Sequence, residues 1–246
     1  MHAPSKMSPN QIYQFSLIGS LMHGVCHDGI PASHILQKGT HGLGTVADLD
    51  GEIVVVDSEA YHFTSAGVVR RLASTDTIPF AMMTDFHPTT TTQLASLDTE
   101  GLLEHVSPLL GPGRNYFLAV RVDAFFPSLS VRIIPKRENP DEALGDLTRR
   151  QSVTSIENST GSLVGFWSPE YTAGLSVAGF HLHYLSDDRR AGGHVLDFRA
   201  HEASVSVAVV REYHIELPVT GEFRETGIKV PELAEVEQAE GFRKHG

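Results

Sequence analysis

The sequence predicts an α+β protein dominated by β-structure: two β-sheet-rich α/β subdomains with mixed and antiparallel sheets, a few short helices and a C-terminal tail helix. Three observations lead there. Short runs rich in Val, Ile, Phe, Tyr and Thr recur along the chain and are bounded by Gly, Pro, Asn and Asp. Apolar residues make up 41% of 246, which is enough for a sizeable core. In the run Gly179-Phe180-His181-Leu182-His183, two histidines stand two residues apart among apolar neighbours, as on one face of a strand. The expected division is 1–130, carrying Glu52, and 131–246, carrying the histidines and the tail.

Taken in order, residues 11–22 space their apolar side chains at about helical period, with Ser8 or Asn10 available as a cap. A short helix is expected to start near Pro31 and stop at Gly39. Residues 40–45 read as a glycine-rich turn, followed by 46–49, a turn at Asp50-Gly51 and a strand from Glu52 to Val56. Neither the dinucleotide nor the P-loop glycine spacing is present, so these glycines serve tight turns. Strands are expected at 61–63, 68–72 and 80–84, and a helix, or two short ones, at 91–110 before Gly111-Pro112-Gly113. Residues 116–122 and 128–134 read as strands, and 136–147 as a polar excursion. Short strands of a second sheet follow at 151–157, 161–167, 174–184, 194–199 and 203–212, and a helix at 231–242.

Composition narrows the function. A net charge of −11, with 19 Lys and Arg dispersed along the chain, argues against a general nucleic-acid binder, which needs clustered cations. No apolar run approaches the roughly 20 residues that span a bilayer, and the N-terminus lacks the pattern of an export signal, so a cytoplasmic protein without a membrane partner is expected. Cys26 is the single cysteine and excludes an intramolecular disulfide.

The chemistry concentrates in the histidines. His181 and His183 project the same way, and the polar loop 184–193, ending in Gly192-Gly193, returns the chain so that His194 comes beside them. Three neutral imidazoles without thiolates describe a catalytic zinc better than a structural one, although histidines alone do not separate zinc from manganese, iron or cobalt.

With these residues in place, the chain resembles the α-acetolactate decarboxylase family over almost its whole length. The resemblance is carried by Tyr13-Gln14-Phe15-Ser16, Gly42-Leu43-Gly44-Thr45, Leu49-Asp50-Gly51-Glu52, Thr77-Ile78-Pro79-Phe80-Ala81, Asn115-Tyr116-Phe117 and Val131-Arg132. It continues through Gly161-Ser162-Leu163-Val164-Gly165-Phe166, the segment from Gly179 to Arg189, and Gly192-Gly193-His194-Val195-Leu196-Asp197. It implies zinc on His181, His183 and His194, further active-site roles for Glu52, Arg132 and Glu240 (with Glu237 as the fallback register), and a homodimer. It also implies a small 2-hydroxy-3-oxo acid as substrate: 2-acetolactate, decarboxylated to (R)-acetoin through an enediolate for which zinc is the electron sink. In that scheme Arg132 orients the substrate carboxylate, Glu240 takes part in the proton step, and Glu52 supports the substrate or Arg132. The chain departs from the family's commoner pattern at 133–138 and at His41, which touches flanking shape rather than the metal ligands. Two readings of other classes stand beside it. One is a cupin-like dioxygenase, for which no Glu sits at the required spacing. The other is a non-catalytic small-molecule-binding homologue, which would not require the whole residue set.

Overall fold

Two layers of β-structure face each other across the histidine cluster in a computed structural model, which describes residues 8–232 and 235–236. In chain order the strands are β1 (Ile12–Phe15), β2 (Ile30–Pro31), β3 (His41–Thr45), β4 (Glu52–Val56), β5 (Glu59–Phe63), β6 (Val69–Arg71) and β7 (Thr77–Ile78). They continue as β8 (Phe80–Thr84), β9 (Thr90–Asp98), β10 (Phe117–Ile133), β11 (Ser152–Ser168), β12 (Gly179–Ser186), β13 (Gly192–Val210) and β14 (Tyr213–Glu216). The helices are few and short: α1 (Ile18–Met22), α2 (Ala32–Ile35), α3 (Thr99–Leu110), α4 (Leu144–Leu147) and α5 (Gly221–Glu225).

The first layer is a mixed seven-stranded sheet in the order β14-β1-β8-β3-β4-β5-β6, parallel only where β1 meets β14. The second has the order β10-β11-β12-β13-β9, and β10 also pairs with β13, so the four long strands close on themselves. Closure removes part of the free strand flanks, as in a barrel, and leaves β9 and residues 152–160 of β11 open on one side. Side-chain alternation then divides the ladder. Phe180, Leu182 and Tyr184 join Val120, Val122, Leu129 and Val131 in the ladder's own core, on which α3 lays Leu102, Val106 and Leu110. The intervening residues of β12, His181, His183 and Leu185, belong to the opposite face; Leu185 packs with Val54, Val56, Tyr61 and Phe63 of the mixed sheet. The candidate site therefore lies between the two layers.

Several expectations are corrected. The helix expected over 11–22 begins as β1, whose four residues are all buried, and only Ile18–Met22 is helical. A short strand buried on both faces has no alternation to distinguish it from a helix. The turn expected at 40–45 is β3, and Val46 leads instead into a 3-10 turn at Ala47–Leu49. At Gly44 a β-carbon would lie 2.5 Å from the Phe80 carbonyl oxygen, so glycine there permits the close approach of β8. The helical run expected from residue 91 is strand β9 up to Asp98, whose carboxylate then caps α3 by accepting from the Gly101 N–H at 2.8 Å. The separate strands expected at 116–122 and 128–134 are one strand, β10, and likewise 151–157 with 161–167 form β11 and 194–199 with 203–212 lie within β13. Residues 130 and 131, where the two expected subdomains meet, are consecutive in β10. Of the expected tail helix, only Pro231, Glu232, Glu235 and Val236 are described, with Val236 buried; Glu237 and Glu240 lie outside the described residues.

Candidate active site

The strand ladder brings the histidines together by register. His183 pairs directly with His194 across β12 and β13, His181 lies two residues back on the same face of β12, and Arg132 of β10 is the cross-strand partner of His194 on its other side. The three imidazole centroids are 5.0–5.3 Å apart, and one ligand nitrogen from each lies within 4.8 Å of the others. All three are buried. Burial, then the charges of His183 and Arg132, hold His181 well below the usual imidazole pKa; burial foremost, with Arg132, brings His183 to about 3. Both rings are therefore neutral at physiological pH, the state in which an imidazole offers a lone pair.

His183 carries a further sign of ligation. Its Nδ1 donates to the Ile53 carbonyl at 2.8 Å, which fixes the tautomer and turns Nε2, as a buried acceptor with no hydrogen bond among the described residues, toward the other rings. The residues present thus fit a divalent ion held by three imidazole nitrogens, with the backbone of β4 orienting one of them. Three nitrogen donors leave coordination positions for a substrate.

Glu52 opens β4 on the face that looks at β12. It is 6% exposed, and its Oε2 stands 3.5 Å from His183 Nε2. Arg132 is 1% exposed, and its Nη1 donates to Gln151 Oε1 at 3.3 Å. A cation this deep needs electron-rich company, and the site supplies it. Leu49, Ile134, Leu144 and Phe80 line the cleft beside Glu52, His181 and His183, giving an apolar wall over a polar floor.

The structure brings together Glu52, Arg132, His181, His183 and His194; Glu240 lies outside the described residues. Sequence inspection does not single out Gln151 or the Ile53 carbonyl. Gln151 stands in a polar stretch with no distinguishing pattern, and a backbone carbonyl carries no residue signature at all. Thr45, quoted above within a motif, donates its hydroxyl to the Gly51 carbonyl at 2.7 Å and so braces the turn that leads into Glu52. His41, one of the departures, does not line this cleft: it packs on Phe86 at 5.0 Å and meets Arg121 Nη1 at 3.0 Å.

Fold and site together define an α+β protein whose two sheets enclose a buried three-histidine centre flanked by a carboxylate and a guanidinium. The model of the alpha-acetolactate decarboxylase family matches residues 12–230. The alpha-acetolactate decarboxylase of Brevibacillus brevis is 32% identical over 96% of this chain and 82% of its own length, and that of Methanosarcina mazei is 35% identical over 89% and 76%. The crystal structure of the Bacillus subtilis strain 168 protein superposes with a TM-score of 0.89 at 32% identity, covering 94% of this chain and 99% of that one. The chain belongs to the alpha-acetolactate decarboxylase family and is a carboxy-lyase.

Proposed function

We propose that this enzyme decarboxylates 2-acetolactate to (R)-acetoin and CO2, with zinc held by His181, His183 and His194. The observation that carries the proposal is the single buried row Arg132, His194, His183, with Glu52 at its end. A divalent ion bound there supplies Lewis acidity to the substrate's hydroxyl and keto oxygens. The protein's own groups account for the rest. Arg132 is permanently charged, donates in a planar fork, and binds and orients the carboxylate that is to leave. Losing that carboxylate leaves a negative charge on the substrate oxygens, which the same guanidinium attracts in a site screened from water by Leu49, Ile134, Leu144 and Phe80. The carbon that loses CO2 then requires a proton delivered to one face, because acetoin is chiral. Glu52 is the described carboxyl group within reach of the histidines and holds or relays that proton; Glu240 is assigned a part in the same step. The homodimer implied by the family resemblance belongs to the same proposal.

The test is acetoin formation from racemic acetolactate by the purified enzyme, before chelation, after chelation, and after zinc is restored, with the product resolved by enantiomer. Chelator-sensitive formation of one enantiomer is expected. Acetoin at the spontaneous rate despite bound metal would overturn the assignment. Turnover that requires oxygen would bring forward a dioxygenase.

A further inference from the structure

The turn that delivers Glu52 is held in an unusual conformation. Asp48 and Leu49 have φ of 63° and 57°, followed by Gly51 at 89°. Glycine adopts this region freely, but leucine does not, and such a residue persists only where its surroundings over-determine it. Here they do. The Asp48 N–H donates to the Cys26 carbonyl at 2.7 Å, and the Asp48 carbonyl accepts from the Arg137 N–H at 2.9 Å. The Asp48 carboxylate receives Arg137 Nε at 3.2 Å and His27 Nδ1 at 2.7 Å. Farther along, the Asp50 carbonyl accepts from His62 Nε2.

Arg137 is the hub. Its side chain is 7% exposed, Nη1 donates to the carbonyls of Gly24 at 2.9 Å and Pro140 at 3.0 Å, and Nη2 reaches Glu222 Oε1 at 3.4 Å. A buried, fully engaged cation is a poor stabiliser compared with a well-packed apolar group, so what this arrangement supplies is fixed geometry. Arg137 does not itself line the cleft, yet the turn it grips does: Leu49 forms part of the wall, Glu52 approaches His183, and the next carbonyl, that of Ile53, orients the same imidazole.

We propose that Arg137 and Asp48 form a positioning clasp that holds the turn 48–51 in its left-handed form and thereby sets Glu52 against the histidines. Arg137 is a positioning residue, acting through Glu52. The inference rests on the proposed proton-handling role of Glu52, and its test separates the two.

Arg137→Gln is compared with the parent enzyme by hydrogen exchange and by steady-state kinetics, each in the wild-type and Glu52→Gln backgrounds. Asp48→Asn is the second variant should Arg137→Gln not fold, since asparagine keeps the shape and tolerates positive φ while giving up the charge. Exchange over residues 47–53 is expected to accelerate about 10-fold or more while that over 179–186 is unchanged. In the wild-type background kcat is expected to fall about 10- to 100-fold, as for a catalytic group displaced by a fraction of an ångström to an ångström. In the Glu52→Gln background the same substitution should cost less than about 2-fold, because the group being positioned is already gone. Equal losses in both backgrounds would overturn the positioning role in favour of general loosening. Unaltered exchange over 47–53 would overturn the clasp and leave the role of Glu52 standing. Wild-type turnover by Glu52→Gln, with accelerated exchange in Arg137→Gln, would instead overturn the role of Glu52 and with it the catalytic consequence of the clasp.

Discussion

The two sides of the site are built by different means. His181, His183, His194 and Arg132 stand at paired positions of the closed ladder, where strand register and alternation fix each side chain. Glu52 stands at the end of a turn with two left-handed non-glycine residues, which costs about 1–3 kcal/mol for each such residue and stays in place through the groups around it. The ladder places these side chains by direct cross-strand pairing beside a register shift at Ser130/Val131, whereas the opposing carboxylate depends on a brace from outside its own turn. The histidines and the proposed proton-handling carboxylate should thus fail in different ways, and that difference can be measured.

The largest expected effect is on the ladder side. His183→Ala removes a proposed metal ligand and the group bonded to Ile53; on the proposed function, acetoin formation should drop to the spontaneous rate with stoichiometric loss of any bound zinc, and retained turnover would mean that the ion, or the chemistry, is elsewhere. Arg132→Lys keeps the charge but not the fork and should lower kcat by about 10²- to 10³-fold, comparable to losing one preorganised donor at a developing oxyanion. A change confined to KM would reduce Arg132 to substrate capture. Next is Leu182→Ala, between the two histidines but on the other strand face and fully buried. It should cost about 2–5 kcal/mol by denaturant titration while the turnover of folded enzyme stays near wild type, so a collapse in kcat would show that the faces are not independent.

A smaller effect concerns the junction of the two layers at His41. Burial, then the Arg121 charge, depresses its pKa to about 4. The unfolded chain takes up this proton near pH 6.5 and the folded protein resists it, so stability is lost as pH falls from about 6.5 toward 4, by on the order of 2–3 kcal/mol. Unfolding measured at pH 7 and pH 5 in wild type and His41→Asn checks this: the variant should lose part of the acid slope, and an identical slope would assign it to other groups. Smallest is Asp98→Ala, which removes the α3 cap at about 1 kcal/mol of stability and leaves kinetics unchanged.

Much of the ladder side was legible in the letters. Strand alternation puts His181 and His183 on one face whatever the topology, and the glycines before His194 announce the hairpin. Long-range pairing was not legible: nothing in the sequence places Arg132 directly beside His194, because that contact depends on β10 meeting β13 across a closure. The strand β9 was hidden because Leu94, Leu97, Leu102 and Val106 keep a near-helical spacing through the Asp98 cap, and β1 was hidden because both its faces are buried. The turn 48–51 is the hardest case. Its backbone is imposed by Arg137, 89 residues away, rather than by Asp48 and Leu49 themselves.

Closure of the ladder also bears on how this strand-rich chain avoids polymerising with itself. In the second layer the open flanks are those of β9 and of residues 152–160 of β11, which pair only with β10. On β9, Thr90, Thr91, Gln93 and Ser96 are exposed and polar, a poor template for a neighbouring molecule's backbone. The corresponding ends of the mixed sheet are only three and four residues long, and one of them bears Arg70 and Arg71. On β9, β-branched apolar replacements at the exposed positions, such as Thr91→Ile, are expected to make that edge a better template for fibre-like association.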